Sequence, residues 1–239
     1  MIYNTDNFIK NLETIGVPFD SPQVQAFIKY YELLIKWNDE INLTAIVDFD
    51  EVILKHFTDS LFLLKYYDIP KGAKVVDVGT GAGFPGIPLK IMRPDIEILL
   101  LDSLNKRINF LKAVVNELGL ANVSCLHGRA EELGLNLSYR ERYDVCVSRA
   151  VASLSVLSEY CLPFVKPGGL FISYKSSDID EEKKAAAKAV SLMSGSFAKE
   201  YVFTLPDSDI NRSFIFIKKT GPLDERYPRR SSQIKNKPL

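Results

Sequence analysis

One stretch of the sequence constrains the fold more than any other, the segment VVDVGTGAGFPGIPLKI from Val75 to Ile91. An apolar run typical of a β-strand leads directly into glycines spaced G-x-G-x-G, and a helical pattern begins near Pro85. Glycines are needed there because the backbone must turn sharply and because a Cβ would block a ligand lying against the loop. The segment predicts the first strand, loop and helix of an α/β domain, with a ligand site at the loop.

Short apolar runs alternate with helical stretches from Ala73 onwards, which is typical of a parallel sheet wrapped by helices. The last two runs are joined by a turn-rich Pro-Asp-Ser-Asp stretch with no room for a helix, so we expect an antiparallel hairpin. The pattern predicts a seven-stranded, mostly parallel sheet. The predicted strands are Lys74–Val78, Ile96–Leu101, Val123–His127, Tyr143–Ser148, Gly169–Tyr174, Tyr201–Leu205 and Ser213–Lys218, with helices at Pro85–Met92, Asn105–Leu118, Leu154–Phe164 and Asp180–Met193.

The first seventy residues have a helical pattern instead. Ser21 and Pro22 suit an N-cap and a first helical residue, and apolar residues then recur at helical spacing up to Trp37. A second helix is predicted from Asp50 to Tyr66. We therefore divide the chain into a helical N-terminal extension (1–70), an α/β domain (71–220) and a basic C-terminal tail (221–239).

Composition places the chain among soluble globular proteins, with 46% apolar and 25% charged residues. No apolar run approaches the roughly 20 residues that a spanning helix needs, and the N-terminus lacks the basic flank and apolar centre of a signal peptide. We therefore expect a cytoplasmic protein without a membrane partner. The oligomeric state stays open, with a monomer as the working expectation.

Global charge does not indicate a nucleic-acid partner, because lysines plus arginines equal aspartates plus glutamates at 30 each. A local signal lies in the segment ERYPRRSSQIKNKPL, where five cations face one carboxylate, Glu225. The segment suits either a solvated tail or an arm that contacts RNA phosphates. The candidate RNA-binding residues are Arg226, Arg229, Arg230, Lys235 and Lys237.

The glycine spacing discriminates between cofactors. A dinucleotide fold uses G-x-G-x-x-G, whereas here the third glycine follows the second after one residue and Phe84 stands where the dinucleotide pattern has glycine. G-x-G-x-G is the spacing of methyltransferases, whose cofactor has no pyrophosphate to cradle. A tight strand-to-helix turn could use the same glycines without any ligand.

Residues at the ends of three further strands suit the same ligand. Asp102 can accept hydrogen bonds from both ribose hydroxyls of a nucleoside, although a helix cap is an alternative role. Ala130 and Glu131 follow the third strand, where an adenine would lie beside the loop. Arg149 ends the fourth strand and could pair with a cofactor carboxylate, an RNA phosphate or a surface carboxylate. Together these features indicate one crevice for a nucleoside cofactor.

The fourth strand also limits the chemistry. It carries neither the Asp/Asn-Pro-Pro-Tyr/Phe sequence of adenine amino-group methylation nor the Pro-Cys signature of cytosine carbon-5 enzymes. Methylation of guanine N7 needs neither device, because that lone pair carries no proton to be removed. We therefore name no catalytic base and no metal site, and interpret His56 and His127 as structural or substrate-positioning residues.

At this point the sequence resembles the RsmG (GidB) family, the 16S ribosomal RNA guanine-N7 methyltransferases. The resemblance covers nearly the whole chain, and GTGAGFPGIPL is longer and more specific than a generic methyltransferase loop. The matching motifs are WNxxINLTAI at Trp37–Ile46, HxxDSL at His56–Leu61, DVGTGAGFPGIPLKI at Asp77–Ile91, LDSLNKRINFL at Leu101–Leu111, RAEEL at Arg129–Leu133, SRAVASL at Ser148–Leu154, YPRR and a terminal KNKPL.

The resemblance implies a Rossmann-like class I fold and S-adenosyl-L-methionine as the cofactor. It further implies a guanosine in the decoding-region loop of 16S rRNA as the methyl acceptor, in free RNA, the small ribosomal subunit or an assembly intermediate. That base would have to be presented unstacked. The expected cofactor-binding residues are Gly79, Thr80, Gly81, Gly83, Phe84, Asp102, Ser103, Ala130, Glu131 and Arg149.

Two departures from the family pattern lie near expected RNA contacts. Lys175 is followed by Ser176 and Ser177 where the family usually has Lys-Gly, and the C-terminal motif becomes YPRRSSQIKNKP. Three competing interpretations remain at this stage. They are a methyltransferase for another RNA base or a small molecule, a binding module without catalysis, and an NAD-dependent oxidoreductase, against which Phe84 and the terminal hairpin argue.

Overall fold

The computed structural model describes residues 3–176 and 179–239. Its centre is a seven-stranded sheet in the order β3-β2-β1-β4-β5-β7-β6. All neighbouring strands are parallel except β7, which runs antiparallel to both β5 and β6. The predicted sheet and terminal hairpin are confirmed. The strands are β1 (Lys74–Val78), β2 (Glu97–Asp102), β3 (Val123–His127), β4 (Tyr143–Arg149), β5 (Val165–Lys175), β6 (Gly195–Thr204) and β7 (Asn211–Lys219).

Strand lengths differ from the prediction where the sequence breaks its apolar pattern. β5 starts at Val165, which pairs with Tyr143 before a register shift, although Pro167 and two glycines interrupt the apolar run there. β6 starts six residues earlier than Tyr201, because its first half is largely exposed and so lacks the periodicity of a half-buried strand. This edge strand also carries a bulge between Phe197 and Lys199.

The N-terminal region contains more helix than predicted. α1 (Asp6–Ile15) precedes α2 (Ser21–Ile41), and Phe8 and Leu12 of α1 are buried. The predicted N-cap at Ser21 is wrong by one residue, since Asp20 accepts a hydrogen bond from the Gln23 backbone and forms a capping box. The predicted helix from Asp50 is instead a broken segment of α3 (Phe49–Val52), a π-helical turn (Ile53–Thr58), α4 (Asp59–Leu61) and α5 (Leu63–Tyr66).

Helices cover both faces of the sheet, as a parallel sheet requires. One face packs against the N-terminal helices in a single core, which includes Phe27 and Phe57. The other face forms a second core that includes Leu157 and Ile234. No helix among the described residues is long and apolar enough to cross a membrane. The remaining helices are α6 (Gly86–Met92), α7 (Asn105–Glu117), α8 (Ala130–Leu133), α9 (Leu154–Cys161), a 3-10 turn (Leu162–Phe164), α10 (Asp180–Leu192) and α11 (Ser231–Asn236).

Candidate functional site

The loop between β1 and α6 is organised by the buried carboxylate of Asp77. Its Oδ2 accepts hydrogen bonds from Thr80 Oγ1 at 2.7 Å and from the Gly86 backbone at 2.8 Å. Burial raises the pKa of Asp77 to about 7, although both hydrogen bonds act to lower it. Because the Thr80 hydroxyl is engaged in this way, Thr80 shapes the loop and is not free for a ligand.

Two glycines of the loop are required for close packing. A Cβ on Gly79 (φ +71°) would lie 2.5 Å from Val151 Cγ2, and one on Gly83 (φ +98°) would lie 2.5 Å from Tyr30 Oη. Glycine at position 79 therefore lets the loop pack against Val151, in the segment that follows β4. Glycine at position 83 lets the loop pack against Tyr30 of α2.

Tyr30 of α2 supports the loop from below. It is fully buried, and its hydroxyl donates to the backbone carbonyl of Ala82. Burial raises the pKa of Tyr30 well above its usual value, so the hydroxyl stays protonated and remains a donor. The N-terminal helices are therefore part of the site's support, a role that helical periodicity alone did not reveal.

Asp102, at the end of β2, holds the loop and the start of α7, although the N-cap position of that helix is Leu104. Its Oδ2 accepts from the Gly81 backbone at 2.9 Å and from Arg107 at 3.3 Å, and its Oδ1 accepts from the Leu104 backbone at 2.9 Å just before α7. The carboxylate thus fixes the loop relative to β2. It also lines a cavity beside that loop, where carboxylate lone pairs can accept hydrogen bonds from a ligand.

This cavity, which we term the nucleoside cavity, has a volume of about 360 Å³. Apolar walls from Val78, Leu101, Val156 and Tyr160 suit a flat ring. Glu131 is 5% exposed, and its Oε1 has no hydrogen-bond partner among the described residues. Arg129 lies 3.9 Å from this oxygen, too far for a hydrogen bond. A cleft with apolar walls and a buried acceptor that lacks a hydrogen bond fits a nucleoside. The expected cofactor-binding residues that line it are Gly79, Asp102, Ser103, Ala130 and Glu131.

Four of the other expected cofactor residues lie around the cavity and not in its wall. Thr80, Gly81 and Gly83 shape the loop, and Phe84 is 6% exposed, with its ring stacked on His56 at a centroid distance of 4.6 Å. Phe84 also lies 5.1 Å below the Arg149 guanidinium. These residues help to set the shape of the cavity and do not line it.

Arg149 lies in a second cavity of about 450 Å³, which we term the basic cavity. Its Nη1 donates to Asp59 Oδ2 at 3.1 Å, and Arg212 Nε donates to the same oxygen at 3.2 Å. The alternative of a salt bridge is thus realised, with a buried carboxylate and a partly buried guanidinium in place of a surface pair. The side chains lining this cavity include four cations and one carboxylate: Lys55, Arg149, Lys175, Arg212 and Asp59.

His56 lines the basic cavity in its neutral form. Burial, and then the nearby Arg149 charge, lower its pKa to about 4. Arg149 Nη2 lies 3.5 Å from Nδ1, and Thr44 Oγ1 lies 2.8 Å from Nε2. Because a guanidinium can only donate, Nδ1 must accept and Nε2 must carry the proton. His127 is exposed and contacts the Ser103 carbonyl at 3.1 Å.

The two cavities are neighbours along the chain. Ala150 lines the basic cavity, whereas Val151 and Ala152 line the nucleoside cavity. Ala150 has a positive φ of 57°, so the chain turns sharply where it passes between them. This short segment after β4 is the partition across which ligands in the two cavities would meet.

The five basic residues of the C-terminal segment have different surroundings. Arg229 is held by Glu159, and Lys235 lines the nucleoside cavity. Arg226 pairs with Asp224 at 2.7 Å on the surface, while Arg230 and Lys237 are exposed. The segment is therefore docked on the domain and includes α11, instead of being a free arm.

Sequence reasoning missed several residues of these cavities. Asp59 was noticed only as part of the HxxDSL motif, and Arg212 carried no signal at all, because it meets Asp59 across 153 positions. The site of the first family departure, Ser176, lines the basic cavity, whereas Ser177 lies outside the described residues.

Comparisons with solved structures bear on the fold. The chain superposes with a TM-score of 0.57 on a chain of the complex between the Haloferax volcanii Trm112 methyltransferase activator and a methyltransferase, at 14% identity and covering 73% of this chain and 94% of that one. TrmN from Thermus thermophilus gives a TM-score of 0.52 at 16% identity, covering 70% of this chain and 53% of that one. These likenesses show the Rossmann-like class I methyltransferase fold.

Comparisons of sequence identify the family. The family model described as rRNA small subunit methyltransferase G matches residues 23–209. Proteins named ribosomal RNA small subunit methyltransferase G are similar over most of their length. That of Lachnoclostridium phytofermentans is 49% identical over 99% of this chain and 98% of its own, and that of Desulforamulus reducens is 54% identical over 91% and 90%. On this evidence the chain belongs to the rRNA small subunit methyltransferase G family.

Proposed function

We propose that the protein transfers a methyl group from S-adenosyl-L-methionine to N7 of a guanosine in 16S rRNA. The observation that carries the proposal is the pairing of the two cavities. One has carboxylates and apolar walls, and the other has four cations and one carboxylate among its lining side chains. Consecutive residues line them, Ala150 the basic cavity and Val151 and Ala152 the nucleoside cavity. A nucleoside cofactor and a polyanionic RNA would be bound on opposite sides of that partition.

The nucleoside cavity offers specific groups to the cofactor. Asp102 lines the cavity, so ribose hydroxyls can donate to it, and Glu131 Oε1 is a buried acceptor that has no hydrogen bond within the described residues. Gly79 allows close approach of the ligand to the backbone. When bound, S-adenosyl-L-methionine supplies a sulfonium methyl group as the electrophile. Gly81, Thr80 and Asp77 keep the loop in position through the hydrogen bonds described above.

The basic cavity suits the RNA side of the reaction. Arg212 is the more open of the two arginines on Asp59, with 28% of its side chain exposed against 13% for Arg149. Arg212 is therefore placed to contact a phosphate or a base oxygen, while Arg149 is held by Asp59 and by the Phe84 ring. The exposed Arg230 and Lys237, together with Arg226 beside Asp224, are further candidates for RNA phosphates on the C-terminal segment.

The chemistry requires no base from the protein. N7 of guanine carries no proton, so alignment of N7 with the methyl group can supply most of the acceleration, and such positioning contributes up to about 7–11 kcal/mol in favourable cases. His56 is neutral, and both its ring nitrogens are engaged by Thr44 and Arg149. Its role is then to hold Phe84 and Arg149 in place and not to move a proton.

The proposal is tested by product identification. The purified protein is incubated with methyl-labelled S-adenosyl-L-methionine and small subunits from cells that lack the native enzyme, and the digested RNA is analysed by mass spectrometry. We expect label in 7-methylguanosine of the decoding-region loop. Label in another nucleoside, or only in small molecules, would overturn the assignment in favour of another acceptor.

A variant pair tests the basic cavity separately. Arg212→Met removes a cavity cation, whereas Lys218→Met removes an exposed cation from the same strand. We expect Arg212→Met to raise KM for the small subunit about tenfold, as for loss of one charged hydrogen bond, with the Kd for the cofactor unchanged. Lys218→Met should not raise that KM. An equal effect of both variants would remove the basic cavity from the proposal.

A further inference from the structure

The C-terminal residues 223–237, here called the C-terminal clasp, are fastened to the domain by Arg140. Its guanidinium donates to the carbonyls of Tyr227 at 2.7 Å, Leu223 at 2.9 Å and Asp224 at 3.1 Å, and also to that of Gly134 at 3.0 Å. One planar group with several donors thus fixes the start of the clasp in a single geometry.

Two more contacts fix the rest of the clasp. Arg229 forms paired hydrogen bonds with the carboxylate of Glu159, a buried residue of α9. Ile234 of α11 is fully buried in the second core, alongside Leu157 and Tyr160. The Arg229–Glu159 ion pair lies just before α11, and the buried Ile234 side chain lies within it. Together they determine the position and the rotation of this helix.

This placement brings the neighbour of Ile234, Lys235, to the nucleoside cavity. Lys235 lines the cavity together with Asp102 and Glu131 and is also exposed, so this residue forms part of the cavity's rim. The two carboxylates can only accept hydrogen bonds, whereas a nucleoside also presents acceptors, the ring nitrogens of adenine and the ribose ring oxygen. An ammonium supplies three N–H donors for such atoms.

We propose that Lys235 is a cofactor-positioning residue, and that α11 forms a wall of the S-adenosyl-L-methionine site. The ammonium donates to acceptor atoms of the bound nucleoside at the rim. The two carboxylates already have cations beside them, Arg107 at 3.3 Å from Asp102 and Arg129 at 3.9 Å from Glu131, so the ammonium is free for the ligand. This assignment replaces the RNA-phosphate role that the basic sequence of the segment suggested for Lys235. It rests on the cofactor part of the proposed function and is independent of which RNA base is methylated.

The test measures cofactor binding to the full-length protein without RNA. Lys235→Met keeps the apolar stem and removes the ammonium, and Lys237→Met is the matched control in the same segment. We expect isothermal titration to show a Kd for S-adenosyl-L-methionine and for S-adenosylhomocysteine raised about five- to tenfold in Lys235→Met. In Lys237→Met both constants should equal those of the wild type, and Lys235→Arg should recover most of the affinity.

Steady-state kinetics give the second readout. Lys235→Met should raise KM for the cofactor while kcat at saturating cofactor stays near that of the wild type, with KM for the small subunit unchanged. A wild-type Kd for the cofactor in Lys235→Met, with a raised KM for the small subunit, would overturn the inference and return Lys235 to the RNA surface. Failure of the proposed function is recognised separately, because the wild type itself would then bind no cofactor or methylate no rRNA.

Discussion

The guanidinium of Arg229 donates two hydrogen bonds to the carboxylate of Glu159, from Nε to Oε1 at 2.9 Å and from Nη2 to Oε2 at 2.7 Å. Glu159 is 1% exposed, and the Arg229 backbone N–H also donates to its Oε1 at 2.8 Å. Little water reaches this carboxylate, and Arg229 is the cation that pairs with it. The pair therefore couples the C-terminal clasp to α9 on the second core.

Removing Arg229 should destabilise the protein strongly. In Arg229→Met the Glu159 carboxylate stays buried without an ionic partner, which costs about 3 kcal/mol of the free energy of unfolding. Urea denaturation measures this loss. Arg226→Met is the control, because the Arg226 side chain is 78% exposed and its ion pair is of little worth. Equal stabilities of the two variants would show that the buried pair does not hold the C-terminal clasp.

Loss of the Tyr30 hydroxyl should loosen the cofactor loop. Tyr30→Phe leaves the Ala82 carbonyl without its donor, at a cost of about 1–2 kcal/mol in unfolding free energy, and should raise the Kd for S-adenosyl-L-methionine. The neighbouring Tyr31 is a matched control, because its hydroxyl donates to the Val47 carbonyl at 2.9 Å near the surface. Tyr31→Phe should change the cofactor Kd little. Calorimetric titration and urea denaturation of both variants decide the matter.

His56 should make the protein less stable in acid. Its folded-state pKa of about 4 lies below the ordinary 6.5, so the unfolded chain takes up a proton that the folded chain refuses. The stability contributed by neutral His56 is present above pH 6.5 and is lost as pH falls towards 4, by up to about 3 kcal/mol. Unfolding free energies measured across this window should fall less steeply in His56→Gln than in the wild type.

Asp77 should change the pH dependence of stability in the direction opposite to that of His56. Its folded-state pKa of about 7 lies above the ordinary 3.8, so the folded chain holds a proton that the unfolded chain has lost. Stability therefore falls as pH rises from 3.8 to 7 and is level in this respect above 7. Asp77→Asn keeps an oxygen for Thr80 and Gly86 without the charge, so its stability relative to the wild type should increase across that window. A relative stability independent of pH would contradict the prediction.

Asp95 provides a control of opposite sign for that experiment. Its hydrogen bonds with Arg93 lower its pKa to about 2, so its contribution is present above pH 3.8 and is lost as pH falls towards 2. Asp95→Asn should accordingly lose stability relative to the wild type at neutral pH, where Asp77→Asn gains it.

The parts of the fold that could be predicted are those with a local signal. β1 and β3 match their predicted ranges. β1 is buried from Val75 to Val78 and the turn after it needs glycine, whereas β3 is only partly buried, with Ser124 and His127 exposed. The predicted range of β6 is too short because an exposed edge strand has no buried face, and so its sequence shows no alternation of apolar and polar residues. The capping box at Asp20 was misplaced by one residue because Ser21 is an equally good cap by composition.

The residues of the site that could be predicted are likewise those with a local signal in the sequence. Asp102, Ala130 and Glu131 follow strand ends, and parallel strands bring their carboxyl ends to one edge, so they line one cavity as expected. Arg149 also lies at that edge, but which cavity it lines depends on Asp59, from a helical segment whose packing leaves no mark in the local sequence. In the sequence Lys235 cannot be told apart from the other basic residues of the segment. In the structure it differs from them because the adjacent Ile234 is buried and directs α11 towards the cavity.

The edge strand β6 also bears on self-association. An open edge of unpaired backbone groups is a template on which another chain can add a strand. Here the bulge between Phe197 and Lys199 interrupts the regular spacing of those groups, and Lys199 and Glu200 place charges along the rim. A second molecule would have to bury those charges and match an irregular ladder in order to extend the sheet. The bulge and the charges thus oppose fibril-like stacking through this edge, even where many copies are crowded together.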